Sequence, residues 1–335
     1  MTTNASNHNN LFSSKWVNLA DERLGTQVLF ATDDFFAEKE NLIKLGRGIF
    51  IADKYTDRGK WMDGWESRRK RTEGHDYCDI KLGLRGTLQG LDIDTNHFLG
   101  NHPPYASVQA CDQDEISETT PWTEILSRTP LKAGSQNLFA IKSDHPWNHL
   151  RLHIYPDGGV ARFRVYGEVS VDWKQKTENQ DYDLAAVQNQ GQVIACSDMF
   201  FSDKNNLIMP GRGLNMGDGW ETKRKRSETF GGPLGNDWVV LKLGHKGILK
   251  KAEIDTAHFK GNFPDRASLE GALLSPGQDL DKAKWLPLLP PTKLEADYQH
   301  FFNELLEVGA ITHVRMNIFP DGGISRLRLW GQIKK

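Results

Sequence analysis

The chain has 335 residues, 38% of them apolar and 10% aromatic, and its 42 Lys and Arg nearly balance its 44 Asp and Glu. Such a composition excludes disorder as a general description. A net charge of −2 also excludes an overall field that would attract nucleic acid, so any basic site must be local. The length exceeds one ordinary core and favours two domains.

Residues 1–14 open with a polar, Asn-rich run that has neither a basic nor an apolar signal segment, so a disordered tail is expected there. No later stretch approaches a membrane span. A cytoplasmic protein without membrane or nucleic-acid partners is the expectation. Cys78, Cys111 and Cys196 show no C-x-x-C spacing and occupy unrelated places in the two halves, which reads as reduced structural thiols.

The chain then repeats itself. Asn41-Leu42-Ile43 and Gly46-Arg47-Gly48 return as Asn206-Leu207-Ile208 and Gly211-Arg212-Gly213, and Asp33 returns as Asp198. Asp63-Gly64-Trp65-Glu66-Ser67-Arg68-Arg69-Lys70-Arg71 returns as Asp218-Gly219-Trp220-Glu221-Thr222-Lys223-Arg224-Lys225-Arg226. Asp94-Thr95-Asn96-His97-Phe98-Leu99-Gly100-Asn101 is matched by Asp255-Thr256-Ala257-His258-Phe259-Lys260-Gly261-Asn262, and Pro156-Asp157-Gly158-Gly159 by Pro320-Asp321-Gly322-Gly323. Two units of about 160 residues are a duplicated domain and not a solenoid, whose repeats are far shorter. The first repeat is placed at 15–169, a polar linker at 170–182 and the second repeat at 183–335.

Each half reads as β. Leu150, Leu152 and Ile154 alternate with polar residues, as do Phe163 and Val165 beyond the Pro-Asp-Gly-Gly turn, which predicts a hairpin with one buried face. Runs such as 27–31 and 238–243 are short and bounded by turn residues. Helical spacing over 297–308, and more weakly over 120–126, predicts a small helix beside each sandwich. The predicted class is all-β: tandem antiparallel β-sandwiches with minor helices.

Chemistry is sought among polar groups present in both copies. From Glu66 to Arg71 and from Glu221 to Arg226 there is no apolar side chain, so this segment is a solvated ribbon or a charged site. The hairpin arginines Arg151, Arg162 and Arg164 project to one side and either pair across the sheet or grip an anion. In the Asp-Thr-x-His-Phe block, loop-stabilising hydrogen bonds compete with a divalent-ion site, for which no His-x-His, H-E-x-x-H or cysteine cluster speaks. Ser107 and Ser268 lack the setting of a nucleophile.

These paired motifs resemble the allantoicase family, over roughly 15–331. The resemblance implies two jelly-roll lobes similar to galactose-binding β-sandwiches, and hydrolysis of allantoate to ureidoglycolate and urea, a C–N hydrolase activity on a linear amidine in purine breakdown. A small carboxylate with two ureido arms needs cations, donors and acceptors, and no electron-carrying cofactor. On that reading Glu66, His97, Glu221 and His258 move protons. Arg69, Arg71, Arg224 and Arg226 bind substrate together with Asp94, Asn101, Asp255 and Asn262. No metal is assigned, with manganese the divalent ion to test, and a homo-oligomer is expected. Gln109 faces Glu270 in the second copy, so the lobes are not chemically identical. The competing reading is a non-catalytic tandem sandwich that binds a sugar or another small polar ligand, with Trp65 and Trp220 as the exposed platforms a sugar would need.

Overall fold

The computed structural model describes residues 11–226 and 235–335, so most of the expected tail lies outside the described residues. Leu11–Ser170 and Val171–Lys335 form two compact units.

In the first unit the strands are β1 (Val17–Asn18), β2 (Gln27–Ala31), β3 (Tyr55–Thr56), β4 (Gly59–Lys60), β5 (Trp65–Glu66) and β6 (Asp76–Asp94). They continue as β7 (Tyr105–Cys111), β8 (Thr123–Pro130), β9 (Gln136–Ala140), β10 (Pro146–Tyr155), β11 (Gly159–Val160) and β12 (Arg162–Val169). The second unit carries β13 (Asp181–Asp183), β14 (Gln192–Cys196), β15 (Trp220–Glu221), β16 (Asp237–Asp255) and β17 (Arg266–Ala272). It ends with β18 (Leu286–Lys293), β19 (Gln299–Phe302), β20 (Ile311–Phe319), β21 (Gly323–Ile324) and β22 (Arg326–Ile333). All pairings are antiparallel, and each unit builds an eight-stranded sheet in equivalent order, β1-β12-β6-β10-β7-β8 and β13-β22-β16-β20-β17-β18.

The long strands β6 and β16 organise both units. The first part of β6 pairs with β2 and β10, and its last part pairs with β9 and β12, so one 19-residue strand serves two groups of partners. The repeated Lys-Leu-Gly triplet has a steric cause: a Cβ on Gly83 would stand 2.0 Å from the Leu24 carbonyl oxygen, and one on Gly244 1.6 Å from that of Asn189. Only glycine allows the strand to pass so close to the preceding 3-10 turn. Leu150, Leu152 and Ile154 are fully buried, as are Phe163 and Val165, in line with the alternation. Each such side chain contributes about 1.5–3 kcal/mol relative to exposure.

Two expectations are corrected. First, β10 and β12 do not pair with each other: β10 pairs with β6 and β7, and β12 with β1 and β6. Between them the chain turns at a cis peptide before Pro156 and enters β11, which pairs with β5; the cis bond recurs before Pro320. Alternation reports a buried face but not the neighbouring strand, so hairpin and crossover look alike in sequence. Second, no helix occupies 297–308 or 120–126. The first window contains β19, whose backbone pairs with Ala252–Asp255, and the second runs into β8. Tyr298, Phe301 and Leu306 made the spacing look helical, yet each is at least half exposed, so no buried face rewards a helix. The described helical segments are all short 3-10 turns.

Residues 11–14 form a turn in which Phe12 lies 6.0 Å, between ring centroids, from both Trp16 and Tyr166. Within 170–182, Trp173 meets Tyr182 edge-on at 5.8 Å and β13 joins the second sheet beside β22. Among the described residues no helix is long and apolar enough to cross a membrane.

Candidate functional site

The charged ribbons begin in a buried anchor. Trp65 and Trp220 are fully buried, and their indole Nε1 groups donate to the carbonyls of Asp33 and Asp198, both at 2.8 Å. Neither can act as a sugar platform, because no ring face reaches solvent. The Asp that opens each motif is also interior: Arg162 Nη2 pairs with Asp63 at 2.7 Å, and Arg326 Nη2 with Asp218 at 2.9 Å. These arginines are 3% and 1% exposed, so each pair ties the last strand of its unit to the start of the ribbon.

Beyond the Trp, β5 pairs with β11 and β15 with β21, so Glu66 lies opposite Gly159 and Glu221 opposite Gly323. The two motifs that looked separate in sequence are strand partners. A Cβ on Gly159 would stand 2.0 Å from the Phe98 ring and one on Gly323 1.9 Å from Phe259, which explains glycine at this crossing. Two carboxylates then suspend the rest of the ribbon by its amides. Asp33 accepts from the Arg68 amide at 2.9 Å and Asp157 from the Lys70 amide at 2.8 Å. In the second unit Asp198 accepts from Lys223 at 2.6 Å and Asp321 from Lys225 at 2.7 Å. Held this way, the ribbon leaves Arg69, Arg71, Arg224 and Arg226 exposed, and none of the four has an ion-pair or hydrogen-bond partner among the described residues.

The two glutamates have equivalent surroundings. Asn101 Nδ2 donates to Glu66 Oε1 at 2.6 Å, and Asn262 Nδ2 to Glu221 Oε1 at 2.5 Å. Burial pushes both carboxyls above the usual glutamate range, opposed by the Asn hydrogen bond. In the second unit Glu221, Arg224, Lys225, Asn262, Asp321 and Phe201 are among the residues lining a cleft of about 530 Å³. A half-buried carboxyl, an amide that orients it and a guanidinium with no partner among the described residues thus line one cleft.

Other residues of the sequence-derived set lie elsewhere. Asp94 and Asp255 are 1% and 0% exposed, and Arg47 and Arg212 grip them through two hydrogen bonds each, at 2.8 and 2.9 Å and at 2.9 and 3.1 Å. Their remaining contacts are to the amides of Asn96 and Ala257, which makes the Gly-Arg-Gly loop and the Asp-Thr-x-His-Phe loop one tied structure. With both oxygens of each Asp engaged by Arg, this block presents no ready divalent-ion ligand set. Nor do the described residues contain a group of three or more His, Cys, Asp and Glu placed to hold a metal. His97 and His258 sit at φ +68° and +70°. The His97 ring faces Phe50 at 5.6 Å, and His258 Nε2 lies 2.7 Å from the Gly213 carbonyl, so neither ring contacts the glutamates in the hydrogen bonds seen.

The hairpin arginines are paired internally. Arg164 donates to the Lys44 and Gly46 carbonyls, Arg328 to those of Met209 and Gly211, and Arg151 forms a two-pronged pair with Asp79 at 2.6 and 2.8 Å. That last pair accounts for the difference between Gln109 and Glu270. In the second unit Val240 replaces Asp79 in the β16 register opposite Arg315, and Arg315 instead meets Glu270 at 2.7 Å. The carboxylate has moved one strand across, so each repeat keeps one partner for its arginine. Gln109 is then free to meet His153 Nε2 at 3.0 Å.

Cys78 and Cys111 are buried and Cys196 is half-buried, and all three are free thiols. Burial pushes Cys111 and Cys196 up to about 11 and also raises Cys78 well above the usual thiol range, against a nucleophilic role.

The sequence reading did not assign Lys70, Lys225, Asp157 or Asp321 to the site. They form two equivalent pairs, Lys70 with Lys225 and Asp157 with Asp321, and that recurrence was the signal available.

Comparison with known proteins closes on one family. The allantoicase repeat family matches twice, at residues 17–170 and 182–334. A probable allantoicase of Photobacterium profundum is 53% identical over 325 residues, covering 95% of this chain and 96% of its own. One from Pseudomonas syringae pv. tomato is 50% identical over 328 residues, covering 96% and 97%. Among solved structures, allantoicase from Saccharomyces cerevisiae superposes with a TM-score of 0.78 at 35% identity, covering 94% of this chain and 92% of that chain.

Proposed function

The chain belongs to the allantoicase family, and from that premise we propose that it hydrolyses allantoate to ureidoglycolate and urea. The observation that carries a site assignment is the Glu–Asn pair, built in the same way in both repeats, which in the second unit lines one cleft together with Arg224.

Allantoate carries a carboxylate and two ureido arms on one carbon. Arg224, and Arg69 in the first repeat, match the carboxylate with two parallel N–H donors. Arg226 and Arg71 add positive charge farther along the ribbon. Glu221 and Glu66, with carboxyls raised by burial, hold a proton closer to neutral pH than a solvated glutamate does. Asn262 and Asn101 occupy Oε1, which directs Oε2 to the substrate.

Hydrolysis then breaks the bond between the central carbon and one ureido nitrogen. The glutamic acid gives its proton to that nitrogen, water supplies the new hydroxyl, and the proton it loses returns to the carboxylate. Urea departs and the other arm stays. His97 and His258 carry no proton in this scheme, and Asp94 and Asp255 act through the loop they tie down, not by touching substrate.

Urea release from allantoate by Arg69→Ala, by Arg224→Ala and by the double variant tests the assignment. The double variant is expected to lose at least about 100-fold in kcat/KM, with the melting temperature nearly unchanged because both side chains are exposed. Single variants that each keep half the rate at an unchanged KM mean that the repeats work independently; single variants that each lose nearly all of it mean that both ribbons serve one turnover. A double variant at wild-type efficiency rejects the arginine role.

A further inference from the structure

Each repeat holds a buried carboxylate that is satisfied on one side only. Asp76 opens β6 and Asp237 opens β16, and each is 1% exposed. Asp76 Oδ1 accepts from the Thr32 hydroxyl at 2.8 Å and pairs with Lys70 Nζ at 2.7 Å. Asp237 Oδ1 accepts from the Ser197 hydroxyl at 2.8 Å and pairs with Lys225 Nζ at 3.0 Å. Oδ2 of both residues is buried and has no hydrogen-bond partner among the described residues.

A buried carboxylate with a bare oxygen is costly unless a nearby cation compensates it. The lysine is that cation in both repeats, so the tie fixes a side chain that would otherwise sample many rotamers. The tied residue borders the candidate site: Lys225 is among the residues that line the cleft with Glu221 and Arg224, and its side chain is 30% exposed. Its amide is held by Asp321, so backbone and side chain are both restrained. An ammonium carries three N–H donors, and Asp237 is its one partner among the described residues.

We infer that Lys225, with Lys70 as its counterpart, is a substrate-contacting cation of this reaction, and that Asp237 and Asp76 are its positioning residues. This rests on the function proposed above. Arg224 suits the planar substrate carboxylate, whereas a compact ammonium suits a single oxygen. That oxygen is the carbonyl of the departing ureido group. As the carbon–nitrogen bond breaks, its electron pair passes to the nitrogen and spreads onto this oxygen, where the ammonium stabilises it. The proton reaches the nitrogen from the glutamic acid, and the lysine transfers none.

The test uses the full chain with Lys70 and Lys225 both changed to Ala, measured as urea released from allantoate. The expected result is a kcat lower by about 100-fold or more with KM within about threefold. Methylammonium added to the assay restores the rate saturably, and it does nothing for the Arg69→Ala/Arg224→Ala variant. Asp76→Asn/Asp237→Asn should likewise lower kcat at nearly unchanged KM. Should the lysine variant fail to fold, because its aspartates are left charged and buried, the same assay on the variant that also carries both Asp→Asn changes decides. A kcat within about threefold of wild type, a loss confined to KM, or a folded variant that no ammonium rescues overturns the inference. A wild-type protein that releases no urea from allantoate overturns the proposed reaction instead, so the two failures are distinguishable.

Discussion

Replacing Glu66 and Glu221 together by Gln lowers kcat for allantoate by about 10²- to 10⁴-fold, the range for removing a placed general acid. Glutamine keeps the shape and still accepts from Asn101 and Asn262 through its carbonyl, so folding should be preserved. The pH profile gives the sharper reading. Burial raises both carboxyls, and the protonated form is the one that protonates the departing nitrogen. Activity is therefore present below the raised pKa and declines as pH rises through it, giving an alkaline limb. The residual activity of the Gln variant should lack that limb. A variant within about threefold of wild-type kcat, or one that keeps the limb, assigns the proton to another group.

Trp220→Ala is expected to destabilise the second unit by about 3–5 kcal/mol, the range for deleting a fully buried large aromatic side chain. The indole is fully buried and its Nε1 holds the Asp198 carbonyl, while the Asp198 carboxylate holds the Lys223 amide. The cavity therefore opens directly beneath the ribbon, and activity should fall with stability. Trp220→Phe fills most of the space and leaves the carbonyl without its donor, for a smaller cost of about 1–3 kcal/mol. Chemical denaturation measures both. A loss below about 1 kcal/mol for the alanine variant contradicts the anchor role.

Much of this could be read from the residues alone, and where the reading stopped has physical reasons. The duplication was visible because motifs returned in fixed order, and the β class because Leu150, Leu152 and Ile154 alternate with polar residues and all three are buried. Partnership was not visible. Alternation identifies the buried face of β10 and β12 but is silent on whether they pair with each other, and both lie beside β6 instead. The window at 297–308 fails for a related reason: helical spacing of apolar residues predicts a helix only if that face is buried, and Phe301 is 58% exposed.

The site follows the same pattern. Glu66, Asn101, Glu221 and Asn262 were named from recurrence, and each Glu meets its Asn. Asp94 and Asp255 recur as strongly for a structural cause, their pairing with Arg47 and Arg212. Recurrence in two copies cannot separate a loop tie from a ligand. The arginines of the ribbon were assigned and the lysines between them were not, because nothing in the sequence ties Lys70 to Asp76 or Lys225 to Asp237, the buried partners that the fold brings to them.

The most direct measurement is urea release by the purified protein from allantoate, with allantoin and ureidoglycolate assayed in parallel, in chelator and with added manganese. Equimolar urea and ureidoglycolate from allantoate, with none from allantoin, is the predicted result. Failure to release urea from allantoate under every one of these conditions would contradict the account.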